Sequence, residues 1–157
     1  MTILVVLNGD ESLPPEQETS KERKNEAGIM NESRTAFARL ADQARRRIEE
    51  ISPDELARAK PSTVIIDVRE SAEYADGYVA RAKHVSRGVL EQQIAEVVPD
   101  FSTPIVLYCD RGERAALAAE NLIKMGYRYV RSLQGGLQNW LESGGELEIS
   151  RRFRQRQ

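Results

Sequence analysis

A chain of 157 residues, 40 % apolar and 31 % charged, is long enough for one globular domain with a real core and short for two. Its net charge of -2 offers no electrostatic footprint for nucleic acid, and its single cysteine excludes an intramolecular disulfide and a cysteine-based metal cluster. The opening MTILVVL is too short to span a bilayer and lacks the flanks of a secretory signal, so a soluble cytoplasmic chain with no membrane contact is expected.

From Asn8 to about Ile29 the chain is charged, carries Pro14 and Pro15 and has little to bury, which predicts disorder over residues 1–29. Met30 would open a self-sufficient chain, so this extension is expected to reflect an upstream start rather than a functional arm. Residues 30–51 read as an amphipathic helix, because Phe37, Leu40, Ala41, Ala44, Ile48 and Ile51 recur at intervals of three and four. Ser52, Pro53 and Glu55 then supply an N-cap, a first-turn proline and a capping-box carboxylate, so a short second helix is expected to start there and stop before Pro61. A globular domain is expected over residues 52–146, with a basic tail at 147–157.

After Pro61 the texture changes to short continuous apolar runs: TVIIDV at 63–68, PIVLYC at 104–109 and YRYVRSL at 127–133. Such runs predict strands buried on both faces, as parallel sheets require. Between them, SRGVLEQQIAEVV predicts a covering helix, and Arg114 to Met125 a second one that ends at Gly126 as a left-handed C-cap. A last helix is expected after the turn at Gly135 and Gly136, with Trp140 as its core anchor. Strand, turn, helix and strand within about thirty residues make a right-handed crossover unit. The fold class is therefore α/β, a parallel central sheet with helices on both faces.

Cys109 falls at the carboxyl end of a central strand, where open parallel sheets bind ligands. The following DRGER backbone can curl with its NH groups inward, and the next helix adds a partial positive charge at its N-terminus. Gly112 permits the tight curl, Arg114 closes the loop and Arg111 adds a second cation. Together these features favour a nucleophilic thiolate without a partner histidine. Asp110 works partly against them, as a carboxylate beside the sulfur.

The motif CDRGER resembles the Cys-x-x-Gly-x-Arg active-site loop of the rhodanese sulfurtransferases. IIDVRESAEYADGYV is similar to that family's Asp-Val-Arg-x-x-x-Glu-Tyr-x-x-Gly-His-Ile signature. AKHVSRGVLE, GYRYV and LQGGLQNW resemble its second strand, the approach to its last strand and its closing Gly-Gly and Trp helix. The resemblance covers roughly Ser52 to Gly144 and implies a rhodanese-like fold and a sulfur relay. In that relay Cys109 takes a sulfane sulfur from thiosulfate or a persulfide, holds it as a persulfide and passes it to a thiol or cyanide. The partners implied are a small-molecule donor and acceptor, or a protein acceptor, with no cofactor and no metal.

The resemblance gives Cys109 the role of nucleophile and makes Asp110, Arg111, Gly112, Glu113 and Arg114 the substrate-binding loop; Arg114 could instead hold the loop to the domain. Asp67 and Arg69 lie on the same rim, where an ion pair of structural purpose is favoured and a supporting role at the site is the alternative. His84 reads as a packed residue. Where relatives often have Gly-His-Ile-Pro-Gly-Ala this chain has GYVARA, with Tyr78, Ala80 and Arg81 at the changed positions, which predicts a looser, more polar turn. Ala115 removes a hydroxyl that many relatives place after the loop arginine.

Two other functions fit the same residues. An arsenate reductase or phosphatase of this fold also places a cysteine in an anion loop closed by arginine. Four residues between Cys109 and Arg114 suit a single sulfur better than the tetrahedral oxyanion such a loop holds. A regulatory rhodanese module or non-catalytic persulfide carrier is the remaining alternative, and retention of the cysteine argues against the regulatory form.

Overall fold

The computed structural model describes residues 20–150. It divides into two units, Met1–Thr35 and Ala36–Gln157. The described part of the first is helical, belonging to α1 (Ser20–Arg45), and everything below concerns the second. Of the expected disordered extension, residues 1–19 lie outside the described residues, whereas Ser20 to Ile29 are helical.

The central sheet has five parallel strands: β1 (Glu49–Ile51), β2 (Val64–Asp67), β4 (Lys83–His84), β5 (Ile105–Tyr108) and β6 (Val130–Leu133), in the order β1-β6-β5-β2-β4. All four residues of β5 are buried, as a strand flanked on both faces must be. Its side chains alternate between two cores. Ile105, Leu107 and then Cys109 face a cluster with Leu90 and Ile94 of α4 (Leu90–Val97) and with Ala115, Ala118, Ala119 and Leu122 of α5 (Glu113–Lys124). Val106 and Tyr108 face the other cluster, with Leu56 of α2 (Pro53–Ala57) and Leu137 of α6 (Gly136–Glu142). The alanine stripe of α5 lets the helix lie close to the sheet.

The capping box at Ser52 and Glu55 is present: Glu55 N–H donates to Ser52 Oγ at 3.2 Å and Ser52 N–H to Glu55 at 2.9 Å. The expected helix over residues 30–51 requires correction. α1 stops at Arg45, and Glu49–Ile51 instead pair with Arg131–Leu133 as an edge strand. Its buried side is made by Ala41 and Ala44, while Phe37 and Leu40 are 45 % and 53 % exposed. Ladder hydrogen bonds along β6 outweigh the helical period of Ile48 and Ile51 there.

The segment read as a basic tail begins with another strand. β7 (Leu147–Glu148) pairs antiparallel with β3 (Tyr78–Val79), while residues 151–157 lie outside the described residues. Trp140 is half-buried against the second cluster and donates its indole N–H to Glu146 O at 3.0 Å. In the GYVARA turn, Tyr78 stacks on Tyr74 at 4.3 Å, Tyr74 stacks on His84 at 4.8 Å, and Arg81 takes a left-handed φ of 68°. Among the described residues, no helix is long and apolar enough to cross a membrane.

Candidate active site

β5 delivers Cys109 to the carboxyl edge of the sheet, where it is 1 % exposed. The chain then curls through Gly112, whose φ of 109° favours a residue without a β-carbon, and enters α5 at Glu113. The Gly112 N–H donates to Cys109 Sγ at 3.1 Å. The first turn of α5 follows directly, so the sulfur sits beside the positive end of a twelve-residue helix.

Two carbonyls of the loop are held by α6. Leu137 N–H donates to Cys109 O at 2.8 Å and Gln138 N–H to Asp110 O at 3.1 Å. Both donors come from the N-terminal turn of α6, which approaches through Gly136. A β-carbon there would lie 2.6 Å from both carbonyl oxygens, so only glycine fits without displacement.

Arg114 and Asp110 are held by side-chain hydrogen bonds. Arg114 forms a bidentate pair with Glu73 of α3 (Ser71–Asp76), at 2.8 Å through each nitrogen, so its guanidinium braces the loop against α3. These bonds hold the Glu73 carboxyl well below the usual carboxylate range, at about 2, and raise Arg114. Glu73 also accepts the Glu70 N–H at 2.9 Å, capping α3 with the same carboxylate. Asp110 accepts from Gln138 Nε2 at 2.9 Å, which draws it to the rim. Arg111 is 70 % exposed and lies 3.8 Å from Asp110, and Glu113 is half-buried in the first turn of α5.

Asp67 and Arg69 form a buried ion pair beneath this rim. Arg69 Nη2 donates to Asp67 Oδ2 at 2.7 Å and to Gly77 O at 2.7 Å, and Arg69 Nε reaches both carboxylate oxygens at 3.1 Å. No hydrogen bond joins either residue to the Cys109 loop among the described residues. The pair instead supports Tyr108: the Arg69 guanidinium lies 5.8 Å from that ring, and the Tyr108 hydroxyl accepts the Val79 N–H at 3.0 Å. Burial and then the Asp67 charge push the Tyr108 phenol strongly up, keeping it neutral. His84 Nε2 lies 2.7 Å from Arg69 O and takes no part in the loop.

Sequence reasoning left out Glu73, Gly136, Gln138 and Arg45. Glu73 and Gly136 stood within recognisable motifs, but their contacts with the loop are long-range. Arg45 carries no local signal: its guanidinium would lie 3.3 Å from a β-carbon on Gly112, while it pairs with Asp42 at 2.8 Å and with Glu50 at 3.6 Å. Among the described residues, no cluster of His, Cys, Asp or Glu could hold a metal ion. The arrangement can present one sulfur nucleophile beside the Gly112 N–H and the head of α5.

Known proteins resemble this chain in sequence and fold. Thiosulfate sulfurtransferase GlpE from Coxiella burnetii is 32 % identical over 81 residues, covering 52 % of this chain and 74 % of that protein. The solution structure of the polysulfide-sulfur transferase homodimer from Wolinella succinogenes superposes with a TM-score of 0.63 at 31 % identity, covering 74 % of this chain and 90 % of that one. A protein from Rhodopseudomonas palustris described as a possible tyrosine phosphatase superposes with a TM-score of 0.65 at 27 % identity, covering 71 % and 93 %. The profile of the rhodanese-like domain matches residues 52–143, from the capping box of α2 through the Cys109 loop to the end of α6. With more than half of its length inside that profile, the chain belongs to the rhodanese-like domain family.

Proposed function

We propose that the chain is a sulfurtransferase that carries a sulfane sulfur as a persulfide on Cys109. The carrying observation is the Gly112 N–H at 3.1 Å from Cys109 Sγ, at the head of α5. In the first half-reaction the Cys109 thiolate attacks the outer sulfur of a donor R–S–SH. The donor S–S bond breaks, R–S⁻ leaves with the electron pair, and a new S–S bond forms on Cys109. In the second, an acceptor thiolate or cyanide attacks that outer sulfur and Cys109 leaves as thiolate. The sequence is redox-neutral, and the Gly112 N–H and the positive end of α5 favour each anionic sulfur species.

The charge arrangement favours a persulfide donor over thiosulfate. Arg114 is neutralised by Glu73 and Arg69 by Asp67, and the exposed Arg111 has Asp110 3.8 Å away, so each of these arginines has a carboxylate competing with an incoming dianion. The same bidentate pair argues against the phosphatase or arsenate reductase reading, whose loop arginine must be available to an oxyanion. The buried nucleophile in a formed cradle argues against a regulatory module.

Mass spectrometry after incubation with cysteine persulfide or thiosulfate tests the reading. Wild type is expected to gain one sulfur, faster from the persulfide, and to lose it to cyanide as thiocyanate. Cys109→Ser gains none, and Asp110→Asn narrows the gap between donors. Failure of every donor to load, together with hydrolysis of a phosphate ester, would move the assignment to the phosphatase reading.

A further inference from the structure

The parallel sheet has two ends, and Cys109 occupies only the carboxyl one. At the opposite end, where the chain enters β1, β5 and β6, lies a half-open groove of about 760 Å³. Arg46 and Arg47, from the turn after α1, line it together with Arg128 and Arg131, from the approach to β6 and from β6 itself. Glu49 is the only carboxylate in that lining, so the groove is strongly positive in a chain whose net charge is -2.

Arg47 is paired with Glu120 at 2.7 Å. The side chains of Arg46 and Arg128 make no hydrogen bond or ion pair among the described residues, whereas the Arg131 charge acts on the Glu55 carboxylate and helps to lower it. Like charges gathered around one groove repel and lower stability unless something anionic answers them. The remaining wall is apolar, from Ile48 and Val130 to Tyr129, which is 59 % exposed, and Ile123, which is 39 % exposed.

We infer that this groove docks a segment of a partner protein in which acidic residues alternate with apolar ones. Charge complementarity calls for carboxylates, and the guanidinium fork meets a carboxylate through two parallel hydrogen bonds. The apolar surface decides between a peptide and a small anion. An inorganic anion would leave Tyr129 and Ile123 uncovered and most of the groove empty, whereas a peptide carries side chains for both walls. Exposed tyrosine among arginines is also the composition of interface anchors. Because the groove and Cys109 lie at opposite ends of the same strands, a docked segment leaves the sulfur site open.

Fluorescence anisotropy with a fluorescein-labelled peptide of alternating Glu and Leu tests the docking on the full chain. The expected result is binding that weakens as salt rises and falls about tenfold or more in Arg46→Glu/Arg128→Glu. Sulfur loading of Cys109 stays unchanged in that variant and in saturating peptide. Both substituted residues are exposed, so the fold tolerates their replacement. Equal binding by wild type and variant, or equal binding of a Lys-Leu peptide, would overturn the inference. Full displacement of the peptide by equimolar inorganic pyrophosphate would also overturn it, by assigning the groove to a small phosphate ligand.

Discussion

Replacing Gly136 by alanine probes the link between α6 and the Cys109 loop. The new β-carbon would lie 2.6 Å from Cys109 O and 2.6 Å from Asp110 O, inside any tolerable contact, and both atoms belong to backbone. The left-handed φ of 62° adds about 1–2 kcal/mol for a residue with a side chain. Relief requires the loop to withdraw, stretching the hydrogen bonds from Leu137 and Gln138, each contributing about 0.5–1.5 kcal/mol. The total is a loss of about 2–5 kcal/mol. Gly126→Ala is the control: its φ of 108° is also left-handed, but a β-carbon there meets nothing within 4 Å, so it loses only about 1–2 kcal/mol. Urea unfolding measures both, and the iodoacetamide rate at Cys109 reports the loop. Gly136→Ala as stable as Gly126→Ala, with an unchanged alkylation rate, would refute the account of the loop's carbonyls.

Glu73 ties acid sensitivity to the loop. Its carboxyl is lowered from 4.5 to about 2, chiefly by Arg114, so the stabilisation is complete above pH 4.5 and is lost as pH falls through about 2. The carboxylate is partly exposed and screened, which leaves about 1–2 kcal/mol for the pair. Urea denaturation should therefore show Glu73→Gln less stable than wild type by that amount at pH 7, with the difference closing between pH 4.5 and 2. A constant difference across that range would contradict the assignment. Arg81→Gly should gain about 0.5 kcal/mol, because relief of the left-handed φ of 68° slightly exceeds the added freedom of the unfolded chain. A lower urea midpoint would show that the Arg81 side chain contributes more than its backbone strain costs.

The central strands and the covering helices were legible because each is a run of one texture bounded by proline or glycine. β5, buried at every position, is the clearest case. The stretch from Ile48 to Ile51 was not, because its spacing fits a helix and its strand is only three residues long, too short for an alternating period to appear. β3 and β7 have two residues each and are specified by pairing with one another across nearly the whole domain. At the site, Cys109 and Gly112 could be placed from spacing alone. The direction of Arg114 could not, because it depends on Glu73, 41 residues away. Asp110 became intelligible only with Gln138, which holds it at the rim from the other side of the loop.

The capture of the Cys109 and Asp110 carbonyls by α6 orders events during synthesis. On the ribosome Cys109 emerges before residues 135–138, which hold the carbonyls of its loop. A nascent chain that already displays the thiol therefore lacks the braced loop, which forms only with the last helix. An interrupted chain ending short of Gly136 would expose a cysteine with no organised chemistry around it.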